Sequence, residues 1–264
     1  MNISKAKIKL IHSLDNKKGR RESGLFVAEG PKVVGDLLAL MQARLIVATP
    51  EWISDNNNRI KDVVDVNDEE LKKTSLLQHP QKVLALFDIP KYKNGKEQTN
   101  SLATILTEKD EMGCYKLVIA LDGVQDPGNL GTIIRIADWF GITDIICSQD
   151  TVDAYSPKVV QATMGSIARI HIHYTDLERL LKDLPNDFPI YGTLLDGDNL
   201  YKKTLNEGGI IIMGNEGKGI SPAIKPLVNH KLLIPNYPQG RQTTDSLNVA
   251  IATAITCAEF RRRT

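Results

Sequence analysis

The sequence predicts an α/β protein of two domains, and three observations carry that expectation. Short apolar runs of strand length alternate with amphipathic stretches of helical spacing along most of the chain. The alternation is interrupted by KYKNGKEQTN at 91–100, a polar stretch without large aliphatics that has the composition of a linker. Two runs, Ile210-Ile211-Ile212-Met213 and Leu232-Leu233-Ile234, stop abruptly at Gly214 and Pro235, so two buried strands open directly onto loops. The crevice beyond the carboxyl ends of such strands is where open parallel sheets bind ligands. At 264 residues the chain can bury two modest cores, and the expected division is a first domain at 1–90, a linker at 91–115 and a second domain at 116–264.

In the first domain, GLFVAEGPKVVGDLLAL reads as a strand and an amphipathic helix, and RLIVATPEWI, DVVDV, NDEELKKTSLL and KVLALFDIP continue the alternation. After the linker, SLATILTEKDEMG reads as a short surface helix. The second domain opens with the strand LVIAL, the turn-rich loop DGVQDPGN and the helix LGTIIRIADWF, whose Leu130, Ile133, Ile134, Ala137 and Phe140 share one face. ITDIIC, RIHIHY, PIYGTLL, GIIIM and KLLIP are the further strands, and SPKVVQATMG, DLERLLKD and SPAIKPLV the further helices. A last helix from about Leu247 is expected to bury Leu247, Ile251, Ala254, Ile255 and Ala258 and to end on Arg261, Arg262 and Arg263, which complement its dipole.

Charge and cysteine usage exclude several classes. With 33 Lys+Arg against 32 Asp+Glu, no global field draws the chain to nucleic acid or membrane, so such a partner must be met by a local patch. One exists: Lys5, Lys7, Lys9, Lys17, Lys18, Arg20 and Arg21 face only Asp15 and Glu22 within the opening segment, a cluster able to neutralise phosphates or simply a solvated surface. Cys114, Cys147 and Cys257 form neither a disulfide framework nor a zinc site, which suits a reducing cytoplasm. MNISKAKIKL lacks the apolar core of a signal peptide, and no apolar run is long enough to span a bilayer, so a soluble protein is expected.

Several residues carry chemistry. Asn129, after Asp126-Pro127-Gly128, is either a helix N-cap or a site residue. Arg135 lies one and a half turns further along, off the apolar stripe, where its fork can reach a phosphate or carboxylate. Gly214-Asn215-Glu216-Gly217-Lys218-Gly219 matches neither the Walker loop, which needs Ser or Thr after Gly-Lys, nor the dinucleotide spacing. Its glycines still let backbone bend around a ligand, and Glu216 can accept hydrogen bonds. Ser246 or Asp245 would cap the last helix, which leaves Asn248 in its first turn unexplained by capping. His171 and His173 read as edge or surface residues without a third metal ligand.

DPGNLGTIIRIA, IIMGNEGKGIS and LLIPNYPQG followed by DSLNVAIATAI resemble, in order and spacing, the three motifs of the SpoU (TrmH) family of RNA ribose 2′-O-methyltransferases, over roughly 116–264. RRESGLFVAEGPKVV more loosely resembles the ribosomal-protein-like substrate-binding domain of many members. The resemblance implies the SPOUT fold, a parallel sheet whose last strands and helix are threaded into a trefoil knot, and it implies homodimers through the knots. It implies S-adenosylmethionine bound largely by backbone at positions matching Thr193, Met213, Gly214, Gly219, Ile234 and Leu247, with Asn129, Arg135, Glu216, Ser246 and Asn248 at the methyl-transfer site and no metal. Ribosomal RNA is the first expected substrate and transfer RNA the second, gripped by Lys17, Lys18, Arg20, Arg21 and Arg135. NYPQGRQTTD, at 236–245, is several residues longer than the family's usual loop, and its Arg241 could contact RNA. Two rivals from other classes are a non-catalytic RNA-binding ribosome-assembly protein and a nucleotide-binding oxidoreductase; the glycine spacing argues against the latter.

Overall fold

A computed structural model describes residues 3–56, 63–90, 96–238, 241–242, 244 and 246–262, with side chains from 102 onward in the helix that starts at Lys96. Asp245, Arg263 and residues 91–95 of the expected linker lie outside the described residues. The chain divides into two compact units, Met1–Lys91 with Asp153–Arg169, and Tyr92–Val152 with Ile170–Thr264.

The first unit contains α1 (Lys5–Ser13), α2 (Lys17–Ser23), β1 (Leu25–Glu29), α3 (Pro31–Leu38), β2 (Ala43–Ala48), α4 (Pro50–Asn56), β3 (Val63–Asp65), α5 (Asp68–Thr74) and β4 (Val83–Asp88). Its strands form a mixed sheet in the order β1-β4-β2-β3. Apolar alternation in β1, β2 and β4 buries Val27, Val47, Leu84 and Leu86 against Ile11 and Leu14. Pro31 starts α3 at its first turn, where a missing amide costs nothing, and Val33, Val34 and Leu37 form its buried face.

Arg20 corrects an expectation. It is 3% exposed, its Nη2 donates to Asp153 at 2.7 Å, and its Nη1 donates to the Leu14 carbonyl at 2.6 Å. A fork spent on a carboxylate and a carbonyl inside the unit is not available to RNA. Lys17, Lys18 and Arg21 remain exposed.

The second unit contains α6 (Lys96–Thr107), β5 (Leu117–Asp122), α7 (Pro127–Trp139), β6 (Asp144–Ser148), β7 (His171–Thr175), α9 (Leu177–Lys182), β8 (Ile190–Asn199), β9 (Gly209–Gly214), β10 (His230–Leu233) and α10 (Val249–Arg261); α8 (Pro157–Thr163), between β6 and β7 in sequence, belongs to the first. Every pairing in this sheet is parallel, in the order β10-β8-β9-β5-β6-β7. Central β5 and β9 are buried at every residue, which requires the continuous aliphatic runs seen in the sequence. The chain leaves β5 outward through β6 and β7, then returns through β8 to lay β9 against β5. That reversal makes the β5–β9 seam the switch point of the sheet.

Four expectations are corrected here. Helix α6 begins in the polar stretch and buries Leu102 and Leu106 in the core, so it is not a surface helix. SPAIKPLV forms a single 3-10 turn at Lys225–Leu227, because Pro226 would clash inside an α-helix and supplies no amide. His173 is buried and its Nε2 lies 3.0 Å from Asp144, while His171 beside it on the edge strand is exposed. Helix α10 buries Val249, Ala250, Thr253, Thr256, Cys257 and Phe260 and leaves Ile251 52% exposed, while Leu247, just before the helix, is 47% exposed. VAIATAITCA is apolar on nearly every side, so periodicity alone could not choose the face. The two buried threonines return their hydroxyls to the Val249 and Ala252 carbonyls, which lets polar residues occupy the core side. Among the described residues, no helix is long and apolar enough to cross a membrane.

Candidate active site

Parallel register sets Asp122, the last residue of β5, beside Gly214, the last residue of β9. The loops that follow, 123–126 and 215–219, therefore rise side by side from the carboxyl edge. Asp126 caps α7, its Oδ1 accepting the Asn129 amide at 2.8 Å. Asn129 is thus not the cap, which corrects the capping alternative and frees its side chain for the site.

The second loop is a tight hairpin closed by reciprocal Asn215–Gly219 backbone bonds of 3.0 and 2.9 Å. A Cβ on Gly214 would stand 2.2 Å from the Gly219 carbonyl carbon, so only glycine lets the hairpin fold back this closely. Asn215 fastens it from both ends of its amide. Its Nδ2 donates to the Gly123 carbonyl at 2.7 Å, and its Oδ1 accepts the Gly217 and Lys218 amides, each at 3.0 Å.

Held there, Glu216 receives four donors. The Asp126 amide and Asn129 Nδ2 reach Oε1 at 3.1 and 3.0 Å, and the Gln125 amide and Asn215 Nδ2 reach Oε2 at 3.3 and 3.4 Å. Burial pushes this carboxyl upward, yet the bonds from Asn129 and the backbone outweigh it and hold its pKa below the ordinary glutamate value. Because Asn129 donates to Glu216, its Oδ1 points away and accepts Asn248 Nδ2 at 2.8 Å. Asn248 in turn accepts the Ala250 and Ile251 amides and so is itself the N-cap of α10. The cap assigned to Ser246 or Asp245 by sequence is therefore corrected to Asn248. One polar chain, Glu216–Asn129–Asn248, joins the loop after β9 to α7 and to the N-cap of α10.

Beside this chain lies a cleft of about 610 Å³, within the usual range for small-molecule sites. All six positions matched to cofactor binding line it: Thr193, Met213, Gly214, Gly219, Ile234 and Leu247, and so do Glu216 and Ser246. Thr193 lies next to Met213 across the β8–β9 seam, its hydroxyl 3.7 Å from the sulfur. Leu195 and Leu247 line the cleft while 76% and 47% exposed, an apolar surface without a cover among the described residues.

Arg135 is exposed on α7 and makes no hydrogen bond or ion pair among the described residues. Asn129 and Glu216, placed with it at one site by the resemblance, do not hold it: both spend their side chains on each other and on neighbouring loops. Sequence reasoning missed Asn215 and Lys218 as individuals, although both stand inside the glycine loop, and missed Asp196, which lines the cleft from a bulge in β8 with no motif around it. Among the described residues, no group of three or more His, Cys, Asp or Glu could hold a metal ion.

Residues 116–258 match the SpoU rRNA methylase family model. The chain belongs to the SpoU family. Residues 5–85 match the MRM3-like substrate-binding domain, so both domains of the SpoU protein have relatives. A 23S rRNA (guanosine(2553)-2′-O)-methyltransferase, RlmP of Bacillus subtilis, is 28% identical over 94% of this chain and 93% of its own. The structure of a TrmH-family protein from Porphyromonas gingivalis superposes with a TM-score of 0.83 at 36% identity, covering 99% of both chains. An rRNA methyltransferase from Sinorhizobium meliloti, solved with bound AdoMet, gives 0.77 at 31% identity over 97% of this chain and 94% of the other. The mixed α/β architecture with its all-parallel sheet is therefore that of SpoU methyltransferases.

Proposed function

We infer that this SpoU protein is an S-adenosylmethionine-dependent RNA ribose 2′-O-methyltransferase, with ribosomal RNA as its substrate class ahead of transfer RNA, working in the cytoplasm. The observation that carries the reading is the Glu216–Asn129–Asn248 chain standing at a cleft whose walls fit the cofactor. Leu195 and Leu247 offer an apolar surface for a flat adenine, and the side-chain-free Gly214 and Gly219 leave backbone open to a bent ligand.

When bound, S-adenosylmethionine supplies a sulfonium-activated methyl group. The residues of this chain have to set a ribose hydroxyl in line with it and dispose of one proton, since the hydroxyl oxygen gains a carbon as the carbon–sulfur bond breaks. Asn129 and Asn248 fix the start of α10 and with it Ser246 and Leu247 at the cleft. Arg135 is exposed and unpaired among the described residues, and in this reading it grips the RNA phosphate and stabilises the developing alkoxide. A guanidinium offers donors and no acceptor, so it does not serve as the base, and the proton leaves through phosphate or water.

Residues 1–90 take the part of RNA capture, with Lys17, Lys18 and Arg21 as phosphate contacts, and 116–264 that of methyl transfer. The exposed Leu247 and Ile251 at the start of α10, and the 85% exposed Trp139 at the end of α7, which packs against α10, support a homodimer in which a second copy covers apolar residues of this helix pair. Mapping ribose methylation across total RNA from cells with and without the gene tests the reading. Loss of a defined ribosomal RNA modification is expected; identical maps would contradict it.

A further inference from the structure

Among the described residues, four charged side chains line the cleft: Asp196, Glu216, Lys218 and Lys225. Three are spent. Glu216 is held by four donors, and Asp196 receives Lys231 at 2.8 Å with Lys225 3.8 Å away. Lys218 is exposed and has no ion pair or side-chain hydrogen bond among the described residues. Its root, by contrast, is fixed: its amide donates to Asn215 Oδ1 at 3.0 Å, on a hairpin closed by the Asn215–Gly219 bonds.

A cation on a pinned backbone, two residues after the carboxylate that organises the site, is built to receive an anion arriving from outside the chain. The proposed reaction brings one. The ribose that presents its 2′-hydroxyl carries a phosphate on the adjacent 3′ carbon, so placing the hydroxyl at the cleft places a phosphodiester at its rim. We propose that Lys218 contacts that phosphate, as an RNA-contacting residue beside the transfer site. The inference rests on the methyltransferase reading above and adds the residue that seats the target nucleotide. Lysine suits the role because a compact charge on a flexible stem tolerates different backbone poses, whereas a bidentate fork would select one. The phosphate is favoured over the cofactor's own carboxylate because Lys218 lies at the exposed tip of the hairpin, on the solvent side from which RNA must approach.

The test compares wild type with Lys218→Ala and Lys218→Arg, using unmethylated ribosomal RNA from cells lacking the gene. Methyl transfer and direct RNA binding are measured over a salt series, and S-adenosylmethionine affinity by calorimetry. Lys218→Ala is expected to raise the KM for RNA about five- to tenfold and to flatten the plot of log affinity against log salt by about 0.7, the loss of one phosphate contact. Cofactor affinity stays at the wild-type value, and Lys218→Arg restores most of the RNA affinity. Unchanged RNA affinity and salt slope would overturn the proposal. So would weakened cofactor binding with an unchanged slope, which would assign Lys218 to the cofactor's carboxylate. If wild type transfers no methyl group, the methyltransferase reading fails separately, and the RNA-binding slope still reports on Lys218.

Discussion

Asn248 Nδ2 donates to Asn129 Oδ1 at 2.8 Å, tying the first turn of α10 to the first turn of α7 across 119 residues of sequence. Asn129 can face Asn248 in this sense only because Glu216 takes its other end. Asn129→Ala removes both bonds, taking one of the four donors from Glu216 and leaving the Asn248 amide without its acceptor. Methyl transfer is expected to fall roughly 100-fold, on the scale of losing one positioned donor, with cofactor affinity reduced far less. Single-turnover kinetics beside calorimetry check this; a loss confined to cofactor binding would contradict it.

The motifs around this site stood out in sequence through their resemblance, in order and spacing, to those of a known family, and backbone geometry accounts for part of that spacing. A strand that must end beside another backbone needs Gly214, and a helix opening at the sheet edge needs a cap and a proline, which DPGN supplies. The division of labour among them was not legible. Which of Asp126 and Asn129 caps α7, and which of Ser246, Asp245 and Asn248 caps α10, depends on partners 87 to 119 residues away. The face of α10 was unreadable for a different reason: a helix apolar all round takes its orientation from packing, here the T-shaped contact of Phe260 on Tyr191 at 4.9 Å. Arg20 shows the same limit in the first unit, since composition groups it with Lys17, Lys18 and Arg21 and only the fold reveals Asp153 against it.

Glu216 gives a pH dependence of definite sign. Its folded pKa lies below the ordinary value of 4.5, so the hydrogen bonds it accepts stabilise the loop at every pH above about 4.5 and are lost as pH falls through the folded value. Wild-type cofactor affinity should therefore be flat with respect to this group at neutral pH and fall in acid. Glu216→Gln, with one acceptor oxygen for four donors, should bind more weakly at neutral pH and lose that acid limb. Calorimetric titrations across the acid range read both.

Arg20→Ala is expected to destabilise the protein by about 3 kcal/mol, because it strands the Asp153 carboxylate, 17% exposed, without its partner. RNA affinity of the folded fraction should be unchanged. Arg21→Ala should do the reverse, leaving denaturant midpoints alone while weakening RNA binding. Equilibrium denaturation paired with RNA titration separates the two.

Ile251→Glu places a charge on the exposed side of α10, at a residue 52% exposed in the single chain. If a second copy covers that face, the variant should sediment as a monomer while keeping the wild-type circular dichroism spectrum. An unchanged sedimentation coefficient would contradict the dimer.

The central claim is transfer of a methyl group to a ribose hydroxyl, and alkali reads it directly, because a 2′-O-methylated nucleotide cannot cleave its own 3′ phosphodiester. Unmethylated ribosomal RNA is incubated with the protein and methyl-labelled S-adenosylmethionine, then digested to completion in alkali. The account predicts label in alkali-resistant dinucleotides; label in mononucleotides, or none at all, would contradict it.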